Sequence, residues 1–140
     1  MIYFNYIERK PNTVKVRKLK KIIKKIFFAE RKTLSQISYV FCNDEYLLEL
    51  NQKYLKHNTY TDIITFNLSN SESIINAEVY ISVERVKENS KVLKEEEESE
   101  MARVVFHGSL HLCGYNDKTK GERAVMREKE DEFLKHYFKT

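Results

Sequence analysis

The stretch SEMARVVFHGSLHLCGYND, residues 99–117, predicts a buried central helix that is followed by a chain reversal. Ser99 can cap this helix, because its side-chain oxygen can accept a hydrogen bond from a free backbone amide of the first turn. The apolar residues that follow surround most of the helix circumference: Met101, Val104, Val105, Phe106, Leu110 and Leu112. A helix that is apolar on nearly all sides is expected to be buried. We therefore expect a largely buried helix over residues 99–113.

Two histidines near the end of this helix form an HxxxH pair. His107 and His111 are four residues apart, which brings both rings to one face of the helix, at the edge of its apolar stripe. For a generic pair with this spacing, two partly buried histidines with hydrogen-bond partners are the commoner outcome, and a pair of metal ligands is the rarer one. The spacing alone leaves both interpretations open.

The residues after the pair favour a metal site. On a continuous helix the six residues from His111 to Asp117 would rise about 9 Å, which would carry Asp117 out of reach. Gly114 can end the helix, because glycine takes the left-handed conformation at little cost. Asp117 could then face both imidazoles. Two nitrogens, one oxygen and a water around a divalent ion form the pattern of a catalytic zinc site, whereas structural sites normally have four protein ligands.

The residue after the first histidine argues against a zinc peptidase. In the HExxH motif a glutamate at that position is the general base, and here Gly108 occupies it. A bound metal can by itself lower the pKa of water to about 7. We therefore assign no catalytic group beyond a metal-bound water.

The segments around this helix predict strands and further helices. Period-two and aliphatic patterns predict strands at IYFNYI (2–7), ISYVFC (37–42), DIITFNL (62–68) and AEVYISV (77–83). Helical periodicity predicts helices over residues 13–28, 45–55, 84–97 and 119–137, and Thr119 with Glu122 fits a capping box at the last one. The order predicts one α+β domain over residues 1–140, with a central, mostly four-stranded mixed sheet packed against several helices. The predicted metal site lies at a helix C-terminus.

The composition limits the class of protein. The chain has 140 residues with 41 % hydrophobic and 33 % charged side chains, which suits one small domain with an ionic surface. There is no apolar run long enough for a membrane span and no secretory leader pattern, so we expect a cytoplasmic protein. The oligomeric state is left open, with a monomer as the simplest expectation. Cys42 and Cys113 form no CxxC pair and are expected to be free thiols.

The helix predicted at residues 13–28 carries the densest basic cluster of the chain. Its apolar side is set by residues such as Leu19 and Ile23, and its other side by seven lysines and arginines between positions 15 and 25. A solvated helix face is one interpretation. The other is a docking surface for a phosphate backbone, with Lys18, Lys21 and Lys25 as candidate RNA contacts. His57 is a further candidate contact, or an ordinary surface histidine.

Three segments resemble the YbeY family of metal-dependent endoribonucleases. HGSLHLCGYND (107–117) resembles its signature HGxLHLxGYDH, LNQKYLKHNTYTDIITF (50–66) resembles LNxxYRxxDxPTDVLSF, and AEVYIS resembles GDIxIS. The resemblance covers the chain from about residue 36 onward. It implies a single α+β domain and one Zn²⁺ per chain held by His107, His111 and Asp117. It also implies hydrolysis of single-stranded RNA, with a role in maturation of the 16S ribosomal RNA 3′ end on the small subunit and in ribosome quality control.

Two positions depart from the family pattern. The third ligand is often histidine, and here it is Asp117, whose carboxylate is also a zinc ligand. The family often has an arginine where this chain has Leu55, which cannot clamp a phosphate. A ribosome-assembly RNA-binding factor with a structural metal is therefore an alternative to the enzyme. A metallopeptidase is a third alternative, which Gly108 disfavours.

Overall fold

The computed structural model describes residues 1–57 and 60–139. Within them the chain forms one α+β domain of four strands and five helices. In chain order these are β1 (Ile2–Tyr6), α1 (Val16–Ala29), β2 (Thr33–Cys42), α2 (Asp44–Leu55), β3 (Ile63–Asn67), β4 (Ile74–Ser82), α3 (Val83–Leu93), α4 (Glu97–Leu112) and α5 (Lys120–Lys139). The predicted fold class is confirmed.

The sheet is mixed and has the strand order β1-β2-β4-β3. Strands β1, β2 and β4 are parallel to one another, and β3 is antiparallel to β4. Alternate residues of β4 are buried, as expected for a strand with unequal faces: Ile75, Ala77, Val79 and Ile81. This face packs into the main core together with α1, α4 and α5. A smaller cluster of Cys42, Leu47 and Ile64 lies beneath α2.

Helix α4 is central, as its all-round apolar sequence predicts. Seven of its apolar or small residues from Met101 to Leu110 are at most 4 % exposed. The helix begins two residues before the predicted start. Glu96 is its N-cap without a side-chain hydrogen bond, so Ser99 is not the cap. Glu97, Glu98 and Glu100 lie in the first turn, where negative charge is favoured by the helix dipole.

Gly108 allows α4 to lie close against the sheet. A Cβ atom at this position would be 2.7 Å from Cδ1 of Ile63 and 3.2 Å from Cγ1 of Val79. A glutamate there would therefore need the sheet side chains to move. The absence of a side chain at Gly108, which disfavours a peptidase base, thus also allows α4 to pack closely on β3 and β4.

Helix α1 runs beside α4 in the same direction. At its N-terminal end Lys18 Nζ lies 3.7 Å from Oε2 of Glu98, and beyond its C-terminal end Glu30 accepts a 3.0 Å hydrogen bond from the Tyr115 hydroxyl. Its inner face is the predicted apolar stripe: Leu19, Ile22, Ile23, Ile26 and Phe27. Among the described residues, no helix combines the length and apolar character needed to cross a membrane.

Candidate metal centre

The chain reverses after α4 through Gly114. Its φ is 105°, a backbone conformation that favours glycine. The amide of Gly114 donates to the His111 carbonyl at 3.0 Å, and the amide of Tyr115 donates to the Leu110 carbonyl at 3.2 Å. These two bonds satisfy carbonyls that a helix end leaves free. The reversal is the one that the spacing of the sequence predicted.

The reversal brings Asp117 back to the helix. Its Oδ2 lies 3.1 Å from Nε2 of His107. His107, His111 and Asp117 line the same cavity of about 210 Å³, together with four residues that precede or belong to β3: Thr61, Asp62, Ile63 and Thr65. The three predicted ligands therefore share one cavity at the C-terminal end of α4. Their role as ligands stays a prediction.

Helix α5 supplies a carboxylate that orients His107. Nδ1 of His107 donates to Oε2 of Glu130 at 2.7 Å. Glu130 is only 5 % exposed, and its other oxygen accepts from Nη1 of Arg103 at 2.9 Å. Arg103 also donates to the exposed Asp131 at 2.6 Å. With Nδ1 held by Glu130, Nε2 is the nitrogen that faces the cavity, an arrangement usual for metal-binding histidines.

His111 is oriented by the backbone of the reversal. Its Nδ1 lies 3.0 Å from the carbonyl oxygen of Tyr115, and because a carbonyl can only accept, Nδ1 carries the proton. Nε2 of His111 is then the nitrogen with a free lone pair. Both histidines thus have Nδ1 engaged, by different elements, and Nε2 left for a ligand role.

His107 lies between two carboxylates, whose negative charges favour a positive charge at this position. Oxygens of Glu130 and Asp117 lie within 3.1 Å of its two ring nitrogens. A neutral imidazole has only one N–H, so one of these contacts needs a second proton or a cation. Burial acts to lower the pKa of His107, but the hydrogen bond and charge of Glu130, with the charges of Asp117 and Asp62, raise it overall.

The donor set fits zinc, although a complete site is not preformed. In the described part of the chain, no three or more His, Cys, Asp or Glu side chains already stand where they could hold an ion together. Two ligands of a tetrahedral zinc ion lie about 3.4 Å apart when each bond is about 2.1 Å. The separation of His107 Nε2 and Asp117 Oδ2, 3.1 Å, is close to that spacing. Two imidazole nitrogens and a carboxylate are also common zinc ligands.

A second cavity next to His107 is lined by several acidic residues. This cavity of about 220 Å³ is lined by Asp62, Glu100, Arg103 and Glu130, among others. Glu100 is 5 % exposed, and its Oε1 has no hydrogen-bond partner within residues 1–57 and 60–139. Burial, and then the charge of Asp62, raise the pKa of Glu100. Burial likewise raises the pKa of Asp62.

Three acidic residues near His107 were not predicted as part of the site: Glu130, Asp62 and Glu100. One signal was available for Glu130. It lies on the inner face of α5 among the buried residues Met126, Phe133, Leu134 and Tyr137. A carboxylate on an otherwise apolar helix face is rarely buried unless it has a partner. The partner itself, 23 residues earlier in the chain, depends on how the helices pack.

A groove on the side of α2 adjoins the cavity that the predicted ligands line. It has a volume of about 440 Å³ and shares Thr61, Ile63, Thr65 and His111 with that cavity. Leu55 and His57 line it, so two positions that the sequence singled out lie beside the predicted ligands. Between them lies Lys56, the C-cap residue of α2, whose φ is 56°.

The lysines predicted as RNA contacts differ in their surroundings. Lys21 and Lys25 are exposed on α1. Lys18 is partly buried, with Nζ 3.7 Å from Glu98 and 4.2 Å from the centre of the Tyr137 ring. Lys18 is therefore occupied within the fold, and Lys21 and Lys25 are the freer cations of the three.

Comparison with known proteins gives consistent matches along the chain. The family model described as Endoribonuclease YbeY matches residues 5–138. A protein of that name from Flavobacterium psychrophilum is 44 % identical over 138 residues, covering 96 % of this chain and 95 % of the relative. The protein of that name from Bacteroides fragilis is 41 % identical over 121 residues, covering 86 % of each. The solution structure of a Thermotoga maritima protein has a TM-score of 0.70 at 27 % identity, covering 99 % of this chain and 89 % of its own.

Proposed function

The chain belongs to the YbeY endoribonuclease family, and on that premise we propose that it is a zinc-dependent endoribonuclease that cleaves single-stranded RNA. Its proposed substrate is ribosomal RNA, at the 3′ end of 16S RNA on the small ribosomal subunit. The proposed setting is ribosome maturation and quality control in the cytoplasm. His107, His111 and Asp117 are the proposed ligands of one Zn²⁺.

The observation that carries this proposal is the placement of His107 between two carboxylates. Glu130 accepts a 2.7 Å hydrogen bond from Nδ1 of His107, and Asp117 Oδ2 lies 3.1 Å from Nε2. A cation between Nε2 and Asp117 would satisfy both groups, since neither has a proton to give when the imidazole is neutral. His111 lines the same cavity with its Nδ1 bonded to a backbone carbonyl, so its Nε2 is available as well.

The protein's contribution to the reaction is orientation and charge. When bound, zinc supplies a Lewis acid for a phosphodiester oxygen and lowers the pKa of water. Glu130 keeps the His107 ring in one tautomer, and its buried position between Arg103 and His107 prevents it from turning away. The Tyr115 carbonyl does the same for His111. Thr61 and Thr65 also line the cavity and give its wall polar side chains.

The RNA-binding alternative is favoured by one observation. Leu55, where the family often has an arginine, is 42 % exposed and lines the groove beside the predicted ligands. It offers no charge for a phosphate. In that alternative the metal stabilises the fold and the wild-type protein binds RNA without turnover. The peptidase alternative is disfavoured further, because a side chain at Gly108 would meet Ile63 at 2.7 Å.

The proposed function is tested with purified protein by measuring bound zinc and cleavage of a labelled single-stranded RNA, with a duplex of the same sequence as a comparison. His111→Ala is expected to lose zinc and cleavage. His136→Ala is the matched control, because His136 is exposed on α5 and lines none of the cavities described above. Asp117→His is expected to retain zinc, since histidine is itself a zinc ligand. Zinc-loaded wild type that leaves the single strand intact would refute the enzyme and favour the binding factor.

A further inference from the structure

The groove between α2 and the metal cavity contains an exposed aromatic ring that the proposed reaction does not use. We propose that Tyr60 is a stacking platform for an unpaired nucleobase of the RNA strand, next to the phosphodiester that the metal centre acts on. The choice of RNA as the occupant rests on the proposed function. Recognition of an unpaired base would make the groove selective for single strands, because duplex bases are already stacked on their neighbours.

The groove is continuous with the candidate metal centre. Tyr60 and His111 line the same groove, and His111 also lines the metal cavity. A ligand in the groove is therefore in contact with the rim of the metal site. Since neighbouring nucleotides of one strand are joined by a phosphodiester, a base held at Tyr60 would keep an adjoining phosphate near that rim. The groove thus lies where a nucleotide next to the scissile bond has to lie.

The Tyr60 ring is supported from one side by a charged network. The guanidinium carbon of Arg85 lies 5.4 Å from the centre of the ring. Arg85 donates to Oδ2 of Asp44 at 3.0 Å, and Oδ1 of Asp44 accepts from the Ser82 hydroxyl at 2.7 Å. The support therefore comes from α2, β4 and α3 together. A ring held in this way loses little conformational freedom when a ligand binds to it.

The Tyr60 side chain is accessible from the groove. Tyr60 is 53 % exposed, and Leu55, which lines the same groove, is 42 % exposed. An aromatic face beside an aliphatic edge suits a flat, apolar base face, and such stacking is tolerant of base identity. Arg85 behind the ring adds a cation–π contact that a stacked base would extend.

The charge around the groove also suits a nucleic acid strand. Lys53, Lys56 and His57 are exposed at the C-terminal end of α2 or just after it, and His57 lines the groove together with Leu55. Cations beside a stacking ring are the combination that single-strand-binding proteins use, the rings for bases and the cations for phosphates. A neutral apolar ligand would gain nothing from these lysines. The groove chemistry therefore favours an RNA strand over an apolar small molecule.

The test is equilibrium binding of a short single-stranded 2′-O-methyl oligonucleotide that contains 2-aminopurine, whose fluorescence is quenched when it stacks. The zinc-loaded full chain is used, and gel electrophoresis after each titration verifies that the oligonucleotide is still intact. Tyr60→Ala is expected to weaken binding by roughly 5- to 150-fold and to abolish the quenching. Tyr60→Phe is expected to keep both, because the phenyl ring still stacks.

Tyr54→Ala is the matched control. Tyr54 is 57 % exposed, but it contacts Phe66 edge-on at 5.8 Å and does not line the groove. Thermal melting of each variant verifies that it is folded. Binding by Tyr60→Ala that equals wild type, or equal losses in Tyr60→Ala and Tyr54→Ala, would overturn the stacking proposal.

Cleavage assays on the same proteins separate this proposal from the proposed function. If wild type binds the oligonucleotide through Tyr60 but never cleaves single-stranded RNA, the stacking site stands and the enzyme does not. If wild type and Tyr60→Ala cleave RNA with the same KM, the enzyme stands and the stacking site is refuted. If KM for RNA cleavage is higher in Tyr60→Ala than in wild type but unchanged in Tyr60→Phe, both the enzyme and the stacking site are supported.

Discussion

Nδ1 of His107 lies 2.7 Å from Oε2 of Glu130, which joins the predicted metal ligand on α4 to a buried carboxylate on α5. Arg103 holds the other oxygen of that carboxylate at 2.9 Å. The orientation of His107 therefore depends on the packing of two helices as well as on the HxxxH spacing. This contact makes Glu130 the most informative residue outside the three predicted ligands.

Replacing Glu130 by Gln is expected to weaken zinc binding by roughly 10- to 100-fold, because the amide supports the His107 tautomer less well than a carboxylate does. Competition with a zinc-binding dye measures the affinity. Asp131→Asn is the matched control, because Asp131 also accepts from Arg103 but makes no contact with His107. Equal zinc affinity in Glu130→Gln and wild type would contradict this role.

Replacing Gly108 by Val is expected to lower the free energy of unfolding by about 1–3 kcal/mol, because the added atoms overpack the interface of α4 with the sheet. The first of these atoms already meets Ile63 at 2.7 Å and Val79 at 3.2 Å. Denaturant unfolding measures the effect. Gly121→Val is the control, since a Cβ at Gly121 has no neighbour within 4 Å. If both variants unfold alike, α4 does not need the close approach.

The hydrogen bond between Tyr39 and Ser109 predicts unequal effects for its two partners. The two hydroxyl oxygens lie 2.6 Å apart in the core, and Ser109 also donates to the Val105 carbonyl at 2.8 Å. Ser109→Ala leaves the Tyr39 hydroxyl buried without its partner, at a cost of about 1–3 kcal/mol. Tyr39→Phe leaves Ser109 still bonded, so a loss of only about 0.5–1.5 kcal/mol is expected. Denaturant unfolding that gave the opposite order would show that Tyr39 finds another partner.

Glu100 predicts a pH dependence of stability. Burial first, and then the charge of Asp62, raise its pKa in the folded chain, while Arg103 and Arg127 oppose this and Glu130 adds to it. Glu100 therefore contributes favourably to the stability of the folded chain when it is protonated, at pH values below its ordinary pKa. That contribution is lost as the pH rises through the raised pKa.

Relative to Glu100→Gln, metal-free wild type should thus become less stable as the pH rises from mildly acidic to neutral. Denaturant unfolding at several pH values measures this. Glu95→Gln, at an exposed glutamate, is the comparison. A stability difference between wild type and Glu100→Gln that stays constant with pH would exclude a raised pKa.

Local sequence patterns were sufficient to predict much of the secondary structure. The apolar stripe of α1 and the reversal at Gly114 each depend on residues close in sequence, and both are present. The capping box of α5 is also present: Thr119 and Glu122 accept each other's amide protons at 2.9 and 3.1 Å. Such features are determined by interactions within one or two turns of chain.

Features that depend on tertiary packing were not predicted. The strand order, the contact of His107 with Glu130 and the contact of Tyr60 with Arg85 all join segments far apart in sequence. The start of α4 was also wrong. Ser99 has the right chemistry for a cap, but the acidic residues before it extend the helix by stabilising its positive end.

Zinc held by His107, His111 and Asp117 is proposed to be needed for the cleavage of single-stranded RNA. The most direct test is the rate at which the purified chain cleaves a labelled single strand, measured as isolated, after removal of metal by a chelator, and after zinc is restored. We expect cleavage to be lost on chelation and recovered with about one zinc per chain. Cleavage that survives complete removal of metal, or no cleavage by the zinc-loaded chain, would contradict it.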